Sequence, residues 1–261
     1  MLSRRHLLTG LVASGALAVS GCSVPSVIDR PRPGRARCVP RSELPRHGDV
    51  GGARLHYDLD GRPRSFHFDA GFHRQLTEWW TDWRETSGLT AADRIDSYGA
   101  WIDGGNTCDS WHHAGRAFDI GRVRRGEDVL VSCREDLWAG TGDEPALRRR
   151  YWSLAAHLHI HFAYVLTYLF DAAHRNHIHI DNGVSGSGLS TFRSGSRVQV
   201  QVVQASSRWL FDEAVEITGR MDTATRRASN AVLGALGRSG GLASTDNWHA
   251  FLRAAAGRGL S

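Results

Sequence analysis

The sequence predicts an α+β fold: a small sheet flanked by helices, followed by a small helical module. Three observations predict it. Short strand-like runs, separated by Gly-containing turns, recur between residues 51 and 133. Two longer stretches, one after Asp69 and one after Asp143, carry apolar residues at helical spacing. The last 70 residues change character: they hold no Cys, a single histidine (His249), and helical patterns.

The N-terminus comes first. "SRRHLLTGLVASGALAVSGC" has Arg4 and Arg5, then an apolar run from Leu7 to Val19. That run is too short to span a bilayer comfortably and reads as the h-region of a signal. The arginine pair resembles a twin-arginine export signal. Val19-Ser20-Gly21-Cys22 resembles a bacterial lipobox, which implies a lipid on Cys22 and Cys22 as the mature N-terminus. Residues 1–21 are thus expected to be an export signal. A lipoprotein anchored on the outer side of the plasma membrane is implied. Residues 22–50, rich in Pro, Arg and Ser, read as a tether.

Residues 51–69 alternate around Asp60-Gly61 and predict a hairpin. Asp69 is placed to cap a helix in which Phe72, Leu76, Trp79, Trp80 and Trp83 pack on the sheet and Gly88 ends the run. Strands are expected within 93–105, 115–123 and 127–133. Asp143, Glu144 and Pro145 make a helix start, with acids for the dipole and proline in the first turn. That helix is expected to reach about Ala173, burying Leu147, Tyr151, Leu154, Leu158, Phe162, Val165 and Leu169. "HIHID" (177–181) follows as a short strand and 182–190 as a linker. In the final module, 198–204 fits a strand or a helix, and Asp222 or Thr223 caps a helix.

Composition narrows the function. All 32 basic side chains are Arg, which excludes Schiff-base and phosphate-loop lysines. A net charge of +5 suits an anionic polymer. No basic stripe interleaves with aromatics, so an acidic cell wall is expected rather than nucleic acid. Export permits disulfides. Cys38, Cys108 and Cys133 remain besides Cys22, an odd number. A Cys108–Cys133 bridge would brace the segment between them, and Cys38 competes for either partner.

That segment and residues 174–181 carry the chemistry. His177 and His179 are two apart, so on a strand they share one face with Asp181, while Ile178 and Ile180 point into a core. Asp181 can then orient a neighbouring imidazole through its second nitrogen. Upstream, "SWHHAGRAFDI" holds His112 and Asp119 seven apart. A flat strand would set them about 23 Å apart at 3.3 Å per residue. Ligands of one metal lie about 2 Å from it, so the chain must fold back, most cheaply at Gly115. Ala117 is small enough for close approach. Two imidazoles and one carboxylate leave one tetrahedral position open, as in a catalytic zinc site. His177 and His174 are spare imidazoles for proton transfer or for steadying an oxyanion. His113 rivals His112 on spacing alone. His157 and His161 also stand i,i+4, but no Glu follows His157 in the HExxH manner, so they read as groove wall or surface.

"HHAGRAFD" (112–119) matches the HxxGxAxD motif of the D-Ala-D-Ala carboxypeptidase, lysostaphin and hedgehog superfamily of zinc peptidases, and "HRNHIHID" resembles its downstream HxH element. The combination most resembles the extensin-like C-terminal family, over roughly residues 66–184. The resemblance implies a small antiparallel sheet flanked by helices in a zinc peptidase-like domain spanning 51–184. It implies Zn2+ held by His112, Asp119 and His179, with His177 and His174 as catalytic positions and peptidoglycan stem peptides as substrate. Carboxypeptidases of this kind often carry an upstream arginine for the substrate carboxylate. Here 97–105 has none, which favours an endopeptidase. "ITGRMDTATRRA" weakly resembles a peptidoglycan-binding helical module in 190–261. The alternative is a non-catalytic peptidoglycan-binding lipoprotein with a vestigial zinc site.

Overall fold

Residues 36–105 and 107–259 are described by the structure, a computed structural model. The export signal, Cys22 and the first part of the tether lie outside them. The strands are β1 (Arg46–His47), β2 (Asp49–Val50), β3 (Ala53–Tyr57), β4 (Phe66–His67), β5 (Arg94–Gly99), β6 (Ala117–Arg125), β7 (Asp128–Ser132), β8 (Tyr164–Leu166) and β9 (Ile178–Asp181). The helices are α1 (Ala70–Ser87), α2 (Glu135–Trp138), α3 (Glu144–His161), α4 (Arg197–Leu210), α5 (Thr223–Ala235) and α6 (Thr245–Arg258).

The main sheet is mixed, not wholly antiparallel. Its order is β2-β3-β5-β6-β9-β8, with β7 also paired to β6. β3 and β5 run parallel. The reason is connectivity: α1 lies between them in the chain, and a helical crossover returns the backbone in the same direction. The long β6 carries β9 on its first half and β7 on its second.

Several local expectations hold. Asp69 accepts a hydrogen bond from Phe72 N at 2.9 Å, and Gly88 closes α1 in the left-handed region at φ 70°. Phe72, Leu76, Trp79, Trp80 and Trp83 are buried. Asp222 rather than Thr223 caps α5, accepting from Thr225 N at 2.8 Å. Segment 198–204 lies within helix α4.

Other expectations are corrected. The turn at Asp60-Gly61 does fold back, with Tyr57 N donating to Arg62 O and Arg64 N to Leu55 O. The hairpin stops there, because Pro63 has no N–H for a ladder and β4 pairs with β1 instead. β1 and β2 make residues 46–50 part of the fold rather than tether. α3 ends at His161, not near Ala173: Phe162 turns extended at φ −126° and ψ 122°, and β8 pairs with β9. The edge of the sheet claims residues whose spacing also suits a helix.

The cysteine pairing differs too. Cys38 and Cys108 form the disulfide, and Cys133 is a buried free thiol. Cys133 follows Val131 on the inward alternation of β7 and is enclosed in the core, away from the loop that carries Cys108. Burial pushes its thiol well above the usual range.

Residues 151–161 of α3 are buried on every side. A helix of that kind needs cover all round, and α4 and α6 supply it. Val202, Trp248, Phe251 and Leu252 therefore share one core with the sheet. The expected helical module is built into the domain, with Gln201 Nε2 donating to the carbonyl of Leu169 at 3.0 Å. No helix among the described residues is long and apolar enough to cross a membrane.

The core includes a titratable ring. His159 on α3 is fully buried near Trp248, and burial pushes it down to about 3. The unfolded chain takes up this proton below about pH 6.5, while the folded chain stays neutral to about pH 3, so stability falls as pH falls through that window. Urea unfolding of the wild type and of His159→Phe at pH 7.5 and pH 5 tests it. The variant is expected to lose less stability on acidification.

Candidate metal centre

In the β6–β9 ladder Asp119 stands directly opposite His179, and Ala117 opposite Asp181. Phe118, Ile120, Ile178 and Ile180 take the other face and are fully buried. Alternation thus sends a carboxylate and an imidazole to one side while four apolar groups hold both strands to the core. His112 arrives from a short 3-10 turn, Trp111–Ala114, capped by Ser110. Gly115 then reverses the chain at φ 65°, and a Cβ there would meet Leu44 Cδ1 at 2.8 Å and Asp69 N at 2.9 Å. Only glycine fits that bend. The Cys38–Cys108 disulfide ties the preceding loop. Trp111 packs over Gly183 under the Arg116 guanidinium, 4.4 Å from the ring centroid.

Three ligand atoms converge. His179 Nδ1 lies 2.9 Å from Asp119 Oδ1, His112 Nε2 lies 3.1 Å from His179 Nδ1, and His112 Nε2 lies 3.3 Å from Asp119 Oδ1. Bonds of about 2.0–2.1 Å to a tetrahedral ion set its ligand atoms about 3.3 Å apart. The group can therefore hold a metal ion.

The outer nitrogens are committed elsewhere. His112 Nδ1 donates to the carbonyl of Ala100. His179 Nε2 donates to Asp181 Oδ2 at 3.3 Å, and Asp181 Oδ1 accepts from Gly183 N at 2.9 Å. These partners fix which nitrogen keeps its lone pair, and in both rings it is the one facing the centre. The Asp181 carboxylate thus meets the ring nitrogen of His179 that faces away from Asp119.

The two spare imidazoles follow the same rule. His177 Nδ1 donates to Asn176 Oδ1 at 2.6 Å and His174 Nδ1 to Asp171 Oδ1 at 2.7 Å. His177 Nε2 lies 3.6 Å from Asp119 Oδ1. The His174 and His177 rings are 5.1 Å apart.

Electrostatics favour a cation. Burial raises Asp119, but hydrogen bonds from His112 and His179 outweigh it and hold the carboxyl well below the usual range. Burial lowers His179, yet Asp119 and Asp181 overcome it and push the ring up to about 10. The carboxylates that draw a proton to His179 draw a metal cation equally. Burial pushes His177 down to about 4, so it is a neutral base at pH 7.

The centre opens into a cavity of about 510 Å³, walled by Trp111, Tyr164, Leu166, Phe170 and Val184, with Asp109 at one side. Among the described residues, no arginine lines it. Arg94 is buried against Asp96, away from the centre. His113 turns the other way, into a larger and more open hollow of about 1020 Å³ beside the disulfide. No facing set of ligands lines that hollow among the described residues. Of the two adjacent histidines, the structure selects His112.

Sequence reasoning missed the Ala100 carbonyl, Asn176, Asp171 and the aromatic wall. Asp171 stands i,i+3 from His174, a spacing that was readable. Tyr164 and Phe170 were assigned to a helix, which hid them. His157 and His161 were expected on a groove wall or the surface, and both are buried against Asp82.

Comparison with protein-family models, with curated proteins and with solved structures finds no match.

Removing the Asp181 carboxylate frees the His179 ring to take the wrong tautomer. Asp181→Ala is expected to weaken metal binding about 10–100-fold. Asp119→Ala, which removes a ligand, is expected to weaken it further. Competition titration against a chromogenic chelator reads both, and equal affinity of Asp181→Ala and wild type would count against the assignment.

Proposed function

We propose that this chain is a zinc-dependent hydrolase of peptide bonds in peptidoglycan, exported and held in the cell envelope by a lipid on Cys22. The observation that carries the reading is the meeting of His112 Nε2, Asp119 Oδ1 and His179 Nδ1 within 3.3 Å of one another, a set from which a metal cation would displace the proton drawn to His179. Two imidazoles and one carboxylate suit zinc and leave one coordination position open. When bound, zinc supplies Lewis-acid polarisation of a carbonyl and acidifies water near neutral pH.

The chain's own residues do the rest. His112, Asp119 and His179 hold the ion. Neutral His177 accepts a proton at Nε2, its Nδ1 held by Asn176. His174 stands beside it, its Nδ1 braced by Asp171, and once protonated at Nε2 it donates to negative charge that develops on the substrate. Trp111, Tyr164, Leu166 and Phe170 offer apolar surface to a peptide and exclude water. Among the described residues no arginine lines the cavity to hold a terminal carboxylate, which favours cleavage within a stem peptide over removal of its last residue. The chain's net charge of +5 suits an anionic wall.

Digestion of purified peptidoglycan, followed by mass analysis of the products, tests the reading. Wild-type protein is expected to release internal stem-peptide fragments, to stop when stripped with 1,10-phenanthroline, and to resume when zinc is restored. His177→Ala is expected to retain zinc while turnover falls about 10²–10⁴-fold. Undiminished cleavage by the metal-stripped protein would refute the mechanism. Wall binding without new fragments would favour the non-catalytic alternative.

A further inference from the structure

Among the described residues, one other group of ligand atoms comes together: Asp82 on α1 with His157 and His161 on α3. His157 and His161 are i,i+4, so they project from one face of the helix. Their rings lie 5.7 Å apart with 24° between their planes. His161 Nε2 is 2.9 Å from Asp82 Oδ2, and His157 Nε2 is 3.5 Å from the same oxygen. These separations bracket the roughly 3.3 Å expected between ligands of one tetrahedral ion.

A plain ion pair explains only part of the cluster. Arg253 on α6 grips the Asp82 carboxylate, Nη1 to Oδ1 at 2.7 Å and Nη2 to Oδ2 at 2.9 Å. His161 Nε2 completes that contact. His157 is left over. It is fully buried, and neither ring nitrogen makes a hydrogen bond of good geometry among the described residues. An unpaired buried group costs about 1–3 kcal/mol, and in a native structure it points to an ion or water at that position. His159 also lacks such partners but faces Trp248, with no carboxylate beside it. His157 Nε2 is aimed at a carboxylate and a second imidazole.

We propose that Asp82, His157 and His161 form a second site for a divalent transition-metal ion of the zinc class, structural in role. Two imidazoles and a carboxylate suit zinc and its neighbours, not calcium or magnesium, which take oxygen ligands. Oδ2 has two lone pairs, one for the ion and one for Arg253, which becomes the outer partner that fixes the carboxylate. The guanidinium charge opposes a second cation, so this site binds more weakly than the one on the sheet. The ion enters from the surface, where the side chains of Asp82 and Arg253 are 23% and 43% exposed. Once bound, it clamps α1 to α3 beneath α6.

This site stands independently of the hydrolase reading, and metal counting separates the two. Untagged mature protein is dialysed against zinc alone and the bound metal measured. Two equivalents are expected for wild type, one for Asp119→Ala, one for His161→Ala and none for Asp119→Ala/His161→Ala. His161→Gln, closer in shape, is the second variant should alanine disturb the end of α3. In the Asp119→Ala background, zinc is expected to raise the melting temperature, and cobalt(II) to give the visible absorption of a tetrahedral site. Both signals are expected to vanish with His161→Ala or His161→Gln. Wild-type stoichiometry in folded His161→Gln, or no zinc in Asp119→Ala, would overturn the proposal. One equivalent in wild type that survives Asp119→Ala but not His161→Ala would support this site and sink the other.

Discussion

The register of β6 against β9 is the constraint on which the centre depends. Side chains alternate with a period of two, so a slip of one residue would exchange the two faces. Asp119 and His179 would then turn into the core, and Phe118 and Ile180 towards solvent. Four fully buried apolar side chains oppose that exchange: Phe118, Ile120, Ile178 and Ile180. Burying a side chain of this size is worth about 1.5–3 kcal/mol. The hydrophobic core therefore sets the spacing of the three candidate ligand atoms, although it supplies none of them. β9 is only four residues long, but β6 and β8 pair with it on both edges. A short strand held on two sides is a firmer platform for a ligand than a loop of the same length.

The polar shell then decides what the platform can bind. An imidazole has two nitrogens, and a ring free to choose its tautomer offers the wrong one part of the time. Here Ala100 O, Asp181, Asn176 and Asp171 each take one nitrogen of a neighbouring histidine. Four rings thus present chosen faces. Asp119 and Asp181 carry negative charge close on either side of His179. That concentration favours positive charge at one point and leaves His177, lowered by burial, able to act as a base.

Much of this was legible because it is local. Strand alternation around Ile178 and Ile180 shows which face His179 takes, and a seven-residue separation forces a bend between His112 and Asp119. The caps at Asp69, Gly88 and Asp222 are readable for the same reason. What was missed depends on distant parts of the chain. Val165 fits a helical stripe as well as a strand, and only the open edge of β9 decides for β8. Cys108 has two partners in sequence, and the choice of Cys38 follows from how the N-terminal segment lies against the 101–110 loop, where Trp101 Nε1 donates to Val39 O. The helical module looked separate because its composition changes. The all-round burial of α3, which demands cover, cannot be seen from composition.

One chain of amides shows how far the centre's support extends. Arg116, three residues before Asp119, donates through Nε to Asn182 Oδ1 at 2.8 Å and stacks on Trp111. Asn182 Nδ2 donates to Gln75 Oε1 at 2.9 Å, and Gln75 Nε2 to the carbonyl of His161 at 2.8 Å. That carbonyl ends α3, where a helix leaves acceptors without partners inside itself. A buried amide without such bonds would be costly, so each link holds the next in place. The exit of β9, the turn carrying His112, helix α1 and the end of α3 are joined by three side chains, none of which contacts the ligand atoms. Asp119 and His179 keep their spacing because Asn182 fixes where β9 ends, and Asn182 is fixed because α1 and α3 pack through the core. Precision at the centre is in this sense a property of the whole domain.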